Sequence, residues 1–279
     1  MEILPWRVDM VIKLSALLGL LAGMLSCLGR DFWWFPLYAL GYFLLFFLVA
    51  VLFCVIACAL VDMDKPVEKE SRFYRTIMYP YVEVLMNLFL VKLSTRGLEK
   101  TPRDGRFLLV CNNQQFADPG IILHCFRKSQ LTFISKQENR KIPVINKFMH
   151  CIRCQLIDRD NDRQALQAII ECVRMIKADE VSVAVFPEGY TSKDGKVHHF
   201  RSGVFKIAQK TGVPIVVCTI NGTLPLFHNV VRLKRTPVAL HLVNVIRPEQ
   251  YAGMKTNEIS DMVYEMMIDD LGESFRVEG

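Results

Sequence analysis

The chain has 279 residues, of which 52% are hydrophobic and 22% charged, and it carries a formal net charge of +6. Its mean hydropathy of +0.25 excludes intrinsic disorder, which requires low hydrophobicity and high charge. It also excludes an ordinary soluble enzyme with its apolar residues spread evenly.

The apolar residues are concentrated at one end. Residues 1–61 hold Arg7, Lys13 and Arg30 against Glu2, Asp9 and Asp31, so the whole excess of positive charge lies after residue 61. Phe32 to Val61 is free of charge and exceeds the roughly 20 apolar residues a bilayer-crossing helix needs. Residues 11–28 form a second apolar run, and only Gly29-Arg30-Asp31 separates the two. This predicts a two-helix transmembrane hairpin over 1–61, with helices at about 11–28 and 32–61. Trp6, Trp33 and Trp34 sit where interfacial aromatics belong. A re-entrant pair that never crosses is the other geometry open to such a sequence. A cleaved signal peptide fits poorly, because no small-residue cleavage site follows the first run.

Arg7 and Lys13 flank the first helix, and Lys65, Lys69, Arg72 and Arg75 follow the second. The positive-inside rule then places both ends, and everything after residue 62, on the cytoplasmic side. Nine cysteines, mostly among apolar neighbours, suit a reducing compartment. Cys151 and Cys154 form a lone C-x-x-C without a second pair, which is weak support for metal or redox chemistry.

Residues 62–90 read as a juxtamembrane amphipathic helix kinked at Pro80, lying either on the bilayer or on the following domain. Strands are predicted at 91–97, 107–111, 131–135, 155–157, 181–186, 213–220 and 238–245. Helices are predicted at 120–127, 162–177 with Asp162 as cap, 200–210 ending at Gly212, and 257–271. This alternation over 91–279 implies an α/β domain with a mixed, largely parallel sheet flanked by helices. No Gly-rich nucleotide loop occurs. The basic residues are scattered without an aromatic stripe, so an anionic membrane explains the charge better than nucleic acid does.

Two strand ends carry chemistry-bearing residues: Asn112-Asn113-Gln114-Gln115-Phe116-Ala117-Asp118 and Phe186-Pro187-Glu188-Gly189-Tyr190-Thr191. With Leu156-Ile157-Asp158-Arg159 and Val213-Pro214-Ile215-Val216, they form four ordered blocks. The set resembles the 1-acyl-sn-glycerol-3-phosphate acyltransferase family over roughly residues 90–225. The resemblance implies transfer of a fatty acyl group from a thioester, carried on coenzyme A or acyl carrier protein, to lysophosphatidate, giving phosphatidate. It implies no cofactor. The partners it implies are membrane lipid, the lysophospholipid acceptor and the acyl donor.

In that family a histidine takes the proton of the attacking hydroxyl and an aspartate orients it. Asp118 matches the aspartate, but Asn113 occupies the histidine position, and an amide cannot serve as a base near neutral pH. Gln115 replaces the motif's serine, Tyr190 its threonine and Thr191 its arginine. Arg159, Glu188, Gly189 and Lys136 correspond to residues that frame the acceptor, with Arg201 as a further cation. Three readings stay open for Asn113: a divergent working enzyme, an inactive lipid-binding relative, or an introduced change. His124 and the His198-His199 pair are the other imidazoles near the blocks.

Overall fold

The computed structural model describes residues 2–3, 10–28, 32–158, 161–192 and 194–277. Arg159 and the expected turn at Gly29-Arg30-Asp31 lie outside the described residues. In chain order the elements are β1 (Glu2–Ile3), α1 (Met10–Ser26), α2 (Phe35–Ala59), α3 (Arg72–Leu88), β2 (Val91–Arg96), β3 (Leu108–Cys111) and α4 (Asp118–Cys125). There follow β4 (Leu131–Lys136), α5 (Ile145–Cys151), β5 (Gln155–Ile157), α6 (Asp162–Lys177), β6 (Ser182–Val185) and α7 (Lys206–Thr211). The chain closes with β7 (Ile215–Asn221), α8 (Leu226–Val231), β8 (Thr236–Ile246), α9 (Pro248–Tyr251) and α10 (Thr256–Leu271).

The strands form one sheet in the order β1-β2-β8-β7-β3-β6-β4-β5. β2 runs parallel to β8, and the run β7-β3-β6-β4-β5 is parallel throughout, while β7/β8 and β1/β2 are antiparallel. All four residues of β3 and of β6 are buried, as expected for strands covered on both faces. Alternation splits β3 between two cores. Leu109 and Cys111 pack with Met78, Ile121, Ile122 and Phe148. Leu108 and Val110 pack with Met175, Ile207, Val263 and Met267. The helices thus form layers on either side of the sheet, with α3, α4 and α5 on one face and α6, α7 and α10 on the other.

Most predicted elements appear within a few residues of their expected bounds. The cap of α6 is Asn161, one residue before Asp162; its side chain accepts from Gln164 N at 3.1 Å. The helix expected at 200–210 divides into a 3-10 turn, Ser202–Phe205, and the short α7, which stops at Gly212 in the left-handed conformation. α5, α8, α9 and the short β1 have no counterpart in the sequence reading. The first two are too short, at 7 and 6 residues, to show a helical period.

α1 and α2 pack side by side in opposite directions. A Cβ on Gly19 would lie 2.8 Å from Phe43 N, and one on Gly23 would lie 3.0 Å from Ala39 Cα. Small residues let the two backbones approach closely, the usual contact between apolar helices. Among the described residues, only the helical stretch Phe32–Ala59 is long and apolar enough to cross a membrane. α1, with 17 residues, spans about 26 Å at 1.5 Å per residue and falls short of a hydrocarbon core of about 30 Å. The close packing of the two helices is a feature of the fold.

α3 joins this pair to the domain. Ser71 caps it by accepting from Tyr74 N at 3.4 Å. Tyr74 Oη donates to Ala57 O at 2.9 Å, and Tyr81 Oη donates to Ala50 O. On its other side, Arg75 Nη1 donates to Leu131 O of β4 at 3.0 Å, and Glu70 pairs with the same guanidinium. The helix therefore packs on the folded domain, one of the two settings expected for it, and also reaches α2.

Enlarging the α1–α2 contact tests the packing. Gly19→Leu should force the helices apart at a cost of about 1–3 kcal/mol, the usual penalty of overpacking. In thermal unfolding of the detergent-solubilised chain, the variant should melt at a lower temperature. Gly41→Leu should leave the midpoint unchanged, since a Cβ there meets nothing within 4 Å.

Candidate active site

β3 and β6 are adjacent and parallel, so the loops that follow them leave the same edge of the sheet, where α/β domains gather their chemistry. The loop after β3 holds Asn113 and Asp118, and the loop after β6 holds Glu188 and Gly189. β4, on the far side of β6, brings its terminal residue Lys136 to the same edge.

Buried polar side chains fasten these loops. Glu188, 1% exposed, accepts from the main-chain N–H of Asn113 at 3.0 Å on one carboxylate oxygen. It accepts from that of His198 at 3.1 Å on the other. Burial pushes its carboxyl up to about 7, against the lowering effect of those two hydrogen bonds. Asn112 ties the end of β3 to β7, donating to Ile220 O at 2.9 Å and accepting from Ile220 N at 2.8 Å. Gln114 spans two further loops, donating to Gly195 O and accepting from Gly222 N, each at 3.1 Å.

Asp118 opens α4 and is fully buried. Its Oδ2 accepts from the main-chain N–H groups of Gln114 at 2.7 Å and Gln115 at 2.8 Å. Burial pushes this carboxyl up to about 6, again against its hydrogen bonds. Asn113 Nδ2 donates weakly to Thr191 Oγ1 at 3.3 Å and Tyr190 O at 3.5 Å. Asn113 Oδ1 is buried without a hydrogen-bond partner among the described residues, whereas the Thr223 hydroxyl lies close enough to Asp118 to favour its charged form. The unmet acceptor on Asn113 forms a local demand for a donor, because an unsatisfied buried acceptor costs about 1–3 kcal/mol.

These loops close one end of a cavity of about 450 Å³. Asn113, Lys136, Gly189, Thr191 and Arg201 give it polar groups. Tyr81 and Met86 of α3 and the adjoining Phe89, with Phe133 and Phe148, give it a long apolar wall. Gly189 has φ +78, and a Cβ there would lie 3.0 Å from Arg201 Nε. Glycine at this position therefore permits both the turn and the close approach of the guanidinium.

The structure brings together Asn113, Asp118, Glu188, Gly189 and Lys136. Glu188 does not line the cavity; both its oxygens are spent on main-chain amides, which makes it a brace for the loops rather than a surface for the acceptor. His124 turns to Glu83 on α3, 3.5 Å away. His198 pairs with Asp194 at 3.0 Å, and His199 stacks on Tyr264. The sequence reading missed the share of α3 in the cavity wall, although its apolar face was visible as a periodic pattern.

Residues 92–221 match the family model described as Acyltransferase. Over these residues the chain is similar to the acyltransferase family. A 1-acyl-sn-glycerol-3-phosphate acyltransferase from Cocos nucifera is 29% identical over 170 residues, covering 61% of this chain and 55% of the relative. A probable 1-acyl-sn-glycerol-3-phosphate acyltransferase from Mycoplasma pneumoniae is 34% identical, covering 58% and 63%. The chain thus spans about half to two-thirds of the length of these curated relatives. The crystal structure of the 1-acyl-sn-glycerophosphate acyltransferase PlsC from Thermotoga maritima superposes with a TM-score of 0.61 at 23% identity. The match covers 96% of this chain and all of that one. That likeness establishes the shared fold, including its mixed sheet.

The two raised carboxyls give stability a defined pH dependence. Each folded value lies above its unfolded value, so the native state holds more protons, and stability falls as pH rises from about 4 to about 7. Chemical denaturation at pH 4.5 and 7.5 should show this loss. The difference should shrink in the Asp118→Asn, Glu188→Gln double variant.

Proposed function

We propose that the chain moves a fatty acyl group from an acyl thioester, on coenzyme A or acyl carrier protein, to the free hydroxyl of lysophosphatidate. The observation that carries the proposal is the cavity, which joins a long apolar wall to a polar end at the strand edge. An acyl chain fits the first and a glycerol phosphate the second. The names of the acyltransferase relatives support the same reading. The thioester already holds the energy for transfer, so the proposed reaction draws on no cofactor.

In this reading, Asp118 holds the loop that presents Asn113. Asn113 Oδ1 accepts a hydrogen bond from the acceptor hydroxyl and orients it, but takes no proton. Lys136 and Arg201 balance the phosphate charge, the guanidinium offering a planar fork. The hydroxyl oxygen attacks the thioester carbonyl, the C–S bond breaks, and the hydroxyl proton leaves with the departing thiolate, so the chemistry relies on proximity and orientation. Missing general-base catalysis typically costs about 10²–10⁴-fold in rate, so slow turnover is expected. The domain faces the cytoplasm, anchored by α2 with α1 beside it, in keeping with the basic residues flanking the helices. The alternative is a lipid-binding relative without turnover, which Asn113 favours.

Restoring the base distinguishes the two. Asn113→His should raise the rate with acyl thioester and lysophosphatidate by about 10²–10⁴-fold. Binding of lysophosphatidate by the unaltered chain, with no turnover by either form, would favour the lipid-binding alternative. Absence of both binding and turnover in both forms sinks the assignment. Lys136→Ala should raise the KM for lysophosphatidate about tenfold or more while changing kcat less, since it removes a charge-assisted phosphate contact.

A further inference from the structure

Beyond the N-terminal helices, a second apolar and basic surface stands at the mouth of the cavity. It is formed by α8 and the turn that follows it, Leu224 to Arg235. Leu226 is fully buried and seats the helix on the domain. Phe227 packs edge-on against Phe89 at 5.4 Å, and both line the cavity. Gln115 Nε2 reaches Leu224 O at 3.5 Å, linking this segment to the active-site loop.

The end of the segment is unlike a soluble surface. Val231 and Leu233 are each 84% exposed. Leu233 sits at φ +53, an uncommon conformation for a residue with a bulky side chain. The turn is held by Arg232 N and Lys234 N, both donating to Asn229 O, at 3.1 and 2.9 Å. The backbone is thus fixed in a costly turn that sends an apolar side chain outward, with no burial within the chain to offset it. Arg232, Lys234 and Arg235 flank these residues and are exposed as well. No aspartate or glutamate occurs from Gly222 to Ile246.

The position of the segment supplies the remaining argument. α3 runs antiparallel along α2, from Tyr74 on Ala57 to Tyr81 on Ala50, a shift of about 10 Å along the apolar helix. Continued to its end, α3 carries Phe89, and with it Phe227, toward the side where the apolar length of α2 projects.

We propose that residues 224–235 are a second membrane-docking element. Val231 and Leu233 enter the lipid interface, and Arg232, Lys234 and Arg235 engage an anionic leaflet, so that the cavity mouth is held against the layer that supplies its lipid acceptor. The last clause rests on the proposed acyl transfer; the docking itself does not. Each basic residue near an anionic leaflet contributes about fivefold to partitioning at low salt, and this contribution fades as salt screens it.

The test uses the full chain reconstituted in vesicles, read by amide hydrogen exchange of the 224–235 segment. Exchange should slow about tenfold or more in phosphatidylglycerol–phosphatidylcholine vesicles relative to detergent. It should slow less in pure phosphatidylcholine. Val231→Asp with Leu233→Asp, both at exposed sites, should remove the protection without altering the melting of the chain. Equal exchange in vesicles and detergent overturns the proposal. So does equal protection in both lipids, or protection that depends on protein density, which marks a second copy as the occupant. If the chain shows no acyl transfer in any form, the exchange result still judges the docking. If transfer occurs, the Asp variant should lose rate with vesicle-borne lysophosphatidate and keep it with a water-soluble short-chain acceptor.

Discussion

A single buried carboxylate holds the site together. Glu188 grips the main-chain amides of Asn113 and His198, and so ties the loop after β3 to the loop after β6 and to its continuation. The main chain adds one direct tie between these loops, from Ser192 N to Asn113 O at 2.9 Å. The carboxylate serves both loops at once, at the cost of its own desolvation. The neighbouring side chains of Asn112 and Gln114 extend the same bracing to β7 and to the turn at Gly222. The polar end of the cavity is a consequence of this network.

Within that frame, an amide at position 113, where the resembled motif has an imidazole, is a local difference in chemistry. Asn113 keeps a hydrogen-bonding side chain in place, and Asp118 keeps its two main-chain donors. What disappears is an atom able to take a proton at neutral pH. The loop geometry does not collapse, because its strongest ties are made by main-chain amides and by Glu188. Position 113 can therefore vary in chemistry without losing the architecture around it.

The apolar half of the molecule is continuous rather than appended. α2 packs on α1 through glycines and on α3 through two tyrosine hydroxyls, and α3 in turn walls the cavity and covers the sheet. A helix with one face on an apolar anchor and another on a domain core couples the two regions mechanically. The exposed turn at Leu233 lies beyond the end of that helix.

Much of the architecture was legible along the chain. Strand and helix periods are local properties of neighbouring residues, so β4, β5, α6 and α10 were readable within a residue or so, and the four ordered blocks pointed to the acyltransferase family. Segregation of apolar residues before residue 61 was likewise a matter of counting. Other features were not legible, because they join residues far apart in sequence. Glu188 meets Asn113 across 75 positions, and only their strands' adjacency turns an expected acceptor contact into a brace. The same holds for the α3 wall of the cavity and for the outward face of α8, whose few residues show no period. Local patterning thus determined most of the elements and the family resemblance by itself. The tertiary structure decided which side chains brace, which line the cavity and which face outward, since burial and pairing exist only once distant segments have packed.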